Sequence, residues 1–253
     1  MSQADLMSLK QVSKQFPGGY VALYGLNLSV EAGQFVALLG PSGCGKSTVL
    51  RLLAGLEQPS QGQVSAPALK AGARGSETAY VFQEPTLMPW ASVFDNVWLP
   101  LRLQGLSRSQ AAPAVRQVLA TVGLSEFEQA LPSELSGGMK MRTSIARALV
   151  TQPEVLLMDE PFAALDEITR TRLDEDLLRI QREQGLTVMF VTHSVYEAVF
   201  LSSRIAVFSS RPGCVIESLT IEEPVRDEAF RGSARFAALC RQTSAALREG
   251  MPS

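Results

Sequence analysis

Apolar residues follow two rhythms along this chain. Near the N-terminus they alternate with polar ones: in VALYGLNLSV, Leu26, Leu28 and Val30 are separated by Asn27 and Ser29. Such alternation predicts half-buried antiparallel strands, and LMSLKQVSKQF, joined to it through PGGY, is the expected partner. After the Glu31-Ala32-Gly33 turn the rhythm changes. QFVALLG is an unbroken apolar run, and similar runs recur at 155–159 (VLLMD), 187–192 (TVMFVT) and 204–210 (RIAVFSS). Runs of this kind suit strands buried on both faces. Between VLLMD and TVMFVT, Leu173, Leu177 and Ile180 share one helical face at i, i+4 and i+7. Apolar strands separated by helices predict a parallel sheet covered on both sides.

The middle differs. From about Ser107 to Leu149 the pattern reads helix, a break at LPSEL, then helix, with no strand. The expected fold class is therefore α/β: a mainly parallel sheet, an N-terminal antiparallel β subdomain and an inserted α-helical subdomain. Within one domain spanning 1–253, the core takes about 1–88 and 152–215, the helical subdomain about 89–151, and a tail 216–253. The tail offers a short strand (CVIESLTI), a charged turn and an amphipathic helix at 228–248, read as a packing element.

Composition narrows the function. A chain of 253 residues with 46% hydrophobic and 19% charged residues is long enough for one large core. Its 23 basic and 25 acidic residues leave a net charge of -2, which argues against a nucleic-acid partner. Cys44, Cys214 and Cys240 are odd in number and far apart, so neither a disulfide framework nor a zinc site is expected, and a reducing compartment is. The start MSQADLMSLKQ lacks a signal-peptide pattern, and no run approaches the roughly 18 apolar residues of a membrane span. The polypeptide is expected to be soluble by itself, which leaves room for a peripheral place on a membrane protein.

The chemistry begins at GPSGCGKST, Gly40 to Thr48, which fits G-x-x-x-x-G-K-[ST] between a buried strand and the helix pattern STVLRLLAG. Gly40, Gly43 and Gly45 let backbone N–H groups turn inward, with Pro41, Ser42 and Cys44 completing the loop, and the following helix start adds its positive end. Lys46 would reach the β and γ phosphates of a nucleotide, Ser47 would ligate Mg²⁺, and Thr48 would touch an α phosphate. Cys44 is read as a small filler. EVLLMDEP supplies the acidic partner: Asp159 at a strand end for the metal, and Glu160 beside the γ phosphate as general base. Adjacent carboxylates after a strand also serve as plain helix caps, and the P-loop is what favours the catalytic role. His193, the only histidine, ends TVMFVTH. A lone histidine is commonly structural, but at the carboxyl end of a third strand of one parallel sheet it falls in the same crevice, as a γ-phosphate sensor.

Six ordered motifs, the P-loop, Gln83 in VFQEP, LSGGM, LLMDEP, ALD at 164–166 and His193, resemble the ATP-binding subunit of an ABC transporter over about residues 5–215. The resemblance implies a P-loop NTPase core, with ATP and Mg²⁺ bound and ATP hydrolysed. By it, Gln83 contacts Mg²⁺ and signals to a membrane subunit, Phe16 stacks on adenine with Tyr20 as second candidate, and Asp166 belongs to a loop that crosses to a partner. It also accounts for the second glycine pair. Ser136, Gly137 and Gly138 open another helix and would complete the site of a second copy, so a homodimer with ATP sandwiched between subunits is implied. An integral membrane permease, an extracytoplasmic solute-binding protein and a peripheral position on the cytoplasmic face of the inner membrane follow from the same resemblance.

The segment VFQEPTLMPWASVFDNVWLPL is similar to the importer branch serving nitrate, alkanesulfonates and taurine. Pro85, Pro89, Trp90 and Val93 are candidates for receiving a permease helix, the alternative being that Trp90 closes the helical subdomain. LSGGMKMR, with Lys140-Met141 where this branch more often has Arg-Gln, and PFAALDE are similar to relatives thought to import pyrimidine precursors. Ser194 stands where Asp often follows the histidine, and Ala163 where Gly or Ser is common. Two rivals remain: a soluble ABC-type ATPase acting on DNA or the ribosome, and a P-loop kinase of a small metabolite. A single cassette, the absence of heptads and the near-neutral charge weigh against the first; LSGGM and His193 weigh against the second.

Overall fold

A computed structural model describes residues 5–70, 77–163 and 165–250. Among the described residues there are two sheets. β1 (Asp5–Gln15), β2 (Val21–Glu31) and β4 (Gln61–Ser65) form an antiparallel one in the order β2-β1-β4. The larger sheet runs β5 (Thr78–Val81), β6 (Val155–Asp159), β7 (Thr187–Thr192), β3 (Phe35–Leu39), β8 (Arg204–Phe208), β9 (Val215–Thr220); only the last pair is antiparallel. The mixed, mainly parallel α/β architecture is thus as the rhythms predict.

The unbroken apolar runs have a geometric reason. Successive strand residues point to opposite faces, and both faces are covered. Ala37, Leu39, Leu156, Met158, Val188 and Phe190 feed one core against the helices, while Val36, Leu38, Val155, Leu157, Met189 and Val191 feed another against the antiparallel sheet and α1 (Lys46–Leu53). Two short strands escape the sequence patterns. β4 reads QGQVS and is mostly exposed, and β5 has four residues at the sheet edge, so neither carries a long apolar run.

The helical region holds three longer helices, one of them before Ser107. α2 (Val93–Leu103) precedes α3 (Arg108–Thr121) and α4 (Gly137–Leu149). α2 carries Pro100 inside it and buries an apolar face that includes Val93, Phe94, Val97 and Leu101. Val93 itself is fully buried, so it cannot belong to a docking surface. Trp90, by contrast, is 78% exposed and closes nothing. α5 (Glu167–Gln184) and α6 (Val195–Leu201) connect β6, β7 and β8. The expected tail helix is two, α7 (Glu228–Arg231) and α8 (Ala234–Glu249), parted where Ser233 caps α8 by accepting from the Phe236 N–H.

Candidate nucleotide-binding site

Strand order assembles the site. β3 delivers the glycine-rich loop, its neighbour β7 delivers His193, and β6 beside β7 delivers Asp159 and Glu160, all at carboxyl ends of parallel strands. Tyr20, Ser42, Gly43, Gly45, Lys46 and Ser47 wall a cleft of about 340 Å³, which Thr48, Gln83 and Glu160 close.

The loop's glycines are required by close approach. A Cβ on Gly45 (φ 101°) would stand 2.7 Å from Leu23 Cδ2 and 2.8 Å from the Ala22 carbonyl oxygen. Gly40 meets Phe208 as closely, at 2.9 Å. Lys46 is only 4% exposed, its Nζ donating to the carbonyls of Gly40 and Pro41, each at 2.8 Å. An ammonium so buried is already drawn along the loop, with donors that can pass from these carbonyls to phosphate oxygens. Cys44 is buried, and burial pushes its thiol up, so it stays a neutral filler.

Asp159 and Ser47 are joined, the Ser47 hydroxyl donating to Asp159 Oδ1 at 2.8 Å. Tyr80 steadies the other oxygen, donating to Oδ2 at 3.2 Å; burial first, then Asp159, raises the tyrosine's pKa, so it remains a donor. Glu160 occupies the left-handed region (φ 45°), with its N–H bound to the Val191 carbonyl at 3.0 Å. Such a backbone is costly for a non-glycine residue and persists where surrounding structure holds it. His193 Nδ1 lies 3.4 Å from Glu160 Oε2. Ser194, the departure after the histidine, caps α6 by accepting from the Glu197 N–H at 3.3 Å, the service an aspartate would perform. Asp166 caps α5 similarly, accepting from the Thr169 N–H at 3.0 Å; that bond holds its carboxyl below the usual range. Ala164, in the same motif, lies outside the described residues.

Phe16 and Tyr20 are stacked, their ring centroids 6.1 Å apart, and Tyr20 borders the cleft. Arg211 was not legible in the sequence. Its Nε donates to the Gly43 carbonyl at 2.7 Å and its guanidinium lies 5.0 Å over the Tyr20 ring, fixing loop and aromatic together.

Ser136, Gly137 and Gly138 do not border this cleft. Ser136 caps α4 by accepting from the Met139 N–H at 3.3 Å. A Cβ on Gly138 would strike Thr169 Cγ2 at 2.5 Å, whereas one on Gly137 meets nothing within 4 Å. Of the Lys140-Met141 pair, Met141 is buried in the core, away from the capped helix start. Arg147, further along α4, donates to the carbonyls of Pro85 and Thr86, and Asn96 of α2 donates to those of Met88, Ala91 and Ser92. The segment after Gln83 is thereby pinned while Trp90 stays outside.

A buried lysine in a glycine cradle, a serine–aspartate pair and a carboxylate facing them define a P-loop nucleotide-hydrolysing site. The family model described as ABC transporter matches residues 23–163, and the chain belongs to that family. It is 43% identical over 224 residues to the nitrate import ATP-binding protein NrtD of Synechocystis, covering 88% of this chain and 84% of that one. It is 46% identical over 233 residues to the aliphatic sulfonates import ATP-binding protein SsuB 1 of Mesorhizobium japonicum, covering 92% and 84%. Its fold superposes, with a TM-score of 0.76 and 30% identity, on the ATP-binding cassette MJ0796 in a dimeric post-hydrolysis state bound to ADP and Pi, covering 86% of this chain and 99% of that one. The chain binds ATP, and its activity is ATP hydrolysis coupled to transport. No described helix is long and apolar enough to cross a membrane.

Proposed function

We propose that this chain energises an importer for a small organic or oxyanion solute, of the nitrate, sulfonate or taurine kind or a pyrimidine precursor. It works as a homodimer on the cytoplasmic face of the inner membrane, beneath an integral permease fed by an extracytoplasmic solute-binding protein. The carrying observation is that Glu160 shares one cleft with Lys46 and Ser47 and has His193 beside it, while Ser136 and Gly137 lie exposed away from that cleft. The relatives named for nitrate and sulfonate import support the solute class.

In this reading Phe16 receives the adenine with Tyr20 stacked beside it, and the loop N–H groups of Gly40 to Thr48 hold the phosphates. Lys46 neutralises charge on the β and γ oxygens. Glu160 accepts a proton from the water that attacks the γ phosphorus, and His193, beside Glu160, donates to the γ oxygens. Ser136, Gly137 and Gly138 of a second copy approach the same phosphate from the other side, and Asp166 crosses at that junction. Among the described residues no three His, Cys, Asp or Glu side chains are arranged to hold a metal. The Ser47–Asp159 pair with Gln83 instead suits an ion that takes its remaining ligands from phosphates and water, as Mg²⁺ does. When bound there, Mg²⁺ supplies charge neutralisation of the β and γ phosphates. The exposed Trp90, with Pro85 and Pro89, receives a permease helix.

Co-purification tests this. The tagged chain expressed from its native locus is expected to bring down a multi-span membrane protein, and Trp90→Ala to abolish that association while leaving ATPase activity of the isolated subunit within about twofold. Recovery on nucleic acid or ribosomes alone would favour the soluble rival.

A further inference from the structure

One buried charge cluster takes no part in the scheme above, yet it lies directly under the histidine loop. Glu197 is 7% exposed and Asp174 is 2% exposed, and two arginines reach them: Arg170 Nε is 3.5 Å from Glu197 Oε1, and Arg231 Nη2 is 3.4 Å from Asp174 Oδ2. Burial, then the proximity of Glu197, pushes the Asp174 carboxyl up to about 7, and burial also raises Glu197. Holding carboxyls in such a place costs stability, and apolar residues would fill the same volume at less cost. A structural reason for Glu197 is therefore not enough.

Its contacts suggest what it does. The Thr192 hydroxyl donates to Glu197 Oε2 at 2.5 Å and accepts from the Ser194 N–H at 2.9 Å. One hydroxyl thus fixes the residues on both sides of His193, and the Glu197 carboxylate sets the direction of its proton. The imidazole needs this support: its side chain is 59% exposed, so packing alone does not hold Nδ1 at 3.4 Å from Glu160. Arg170, besides pairing with Glu197, donates to the Leu165 carbonyl at 2.9 Å, immediately before Asp166. The tail reaches the same group of elements. Arg231 of α7 lies 3.7 Å over the Phe200 ring of α6 while pairing with Asp174 of α5, and Phe236 of α8 packs against Tyr196 at 6.0 Å between ring centroids.

We propose that Glu197 is a positioning residue for His193, acting through Thr192, and that the C-terminal tail steadies α6, which carries Glu197, by way of Arg231 over Phe200 and Phe236 against Tyr196. The inference rests on the catalytic role proposed for His193, and links that role to the loop holding Asp166 on one side and to the tail on the other.

Because His193 is the only histidine in the chain, its imidazole Cε1–H and Cδ2–H resonances report on its position without nucleotide. Glu197→Ala and the isosteric Thr192→Val are each expected to move both resonances, Glu197→Gln to leave them close to wild type because an amide oxygen still accepts, and the pair Asp174→Asn with Arg231→Gln to move them in the same direction by a smaller amount. In turnover, Glu197→Ala is expected to lower kcat about tenfold with KM for ATP within twofold, Glu197→Gln to restore most of it, and Glu197→Ala added to His193→Ala to cause no further loss. Unchanged imidazole resonances in Glu197→Ala and Thr192→Val, or a full tenfold further loss in the His193→Ala background, would overturn the proposal. Wild-type turnover of His193→Ala alone would instead remove the catalytic role of the histidine, leaving the resonance shifts to judge the contact itself.

Discussion

The chain has two glycine-marked helix starts, and they are built differently. The start of α1 is enclosed: Gly40 and Gly45 are pressed by Phe208 and Leu23, Gly43 by Arg211, and Lys46 is buried beneath the loop. The start of α4 is enclosed on one side only, with Gly138 against Thr169 and Gly137 facing open space. Both offer unsatisfied N–H groups and the positive end of a helix. The difference is that one cradle is finished by its own chain and the other presents a bare face, which is what half of a shared site requires.

The comparison is sharpened most by variants that empty each half in turn. Lys46→Ala is expected to weaken ATP binding at least about 100-fold, measured by titration with a fluorescent nucleotide, since the buried ammonium has no substitute. Glu160→Gln should lower hydrolysis by about 100-fold or more while an ATP-dependent dimer accumulates on size exclusion; a monomer throughout would break the shared-site interpretation. Ser136→Arg is expected to cut hydrolysis about tenfold or more with nucleotide affinity of the monomer within about threefold, because that helix start lies away from the cleft. The two signature glycines should then separate. Gly138→Ala, meeting Thr169, is expected to cost about 1–3 kcal/mol in urea unfolding, whereas Gly137→Ala should leave stability nearly unchanged and lower only turnover. Smallest is Arg211→Ala, expected to raise KM for ATP about threefold by loosening Gly43 and Tyr20, with kcat retained.

Much of this was legible before the structure. The buried strands, α1, the loop Gly40–Thr48, Asp159, Glu160 and His193 all announce themselves by apolar runs that end in a polar group at a strand's carboxyl end. β4 and β5 did not, being short and half exposed. Val93 was misassigned because a sequence does not say which side of a short helix faces outward; the core took it. Tyr80, Arg211, Asn96 and Glu197 carry no local motif. Each acts on a group far away in the chain, as Tyr80 does on Asp159 and Arg211 on Gly43, so only folding brings the partners together.

By itself, then, the sequence determined the sheet, the glycine-rich loop and which polar side chains gather at the carboxyl ends of its strands, because local periodicity and residue spacing encode those directly. Tertiary structure alone decided how those groups are held: that Tyr20 stacks on Phe16 at the cleft, that Glu160 is fixed in a left-handed backbone with its N–H on the Val191 carbonyl, and that the tail reaches α5 and α6 through Arg231. These depend on contacts between residues distant in sequence, whose distances are set by how the layers pack and not by any neighbouring pattern.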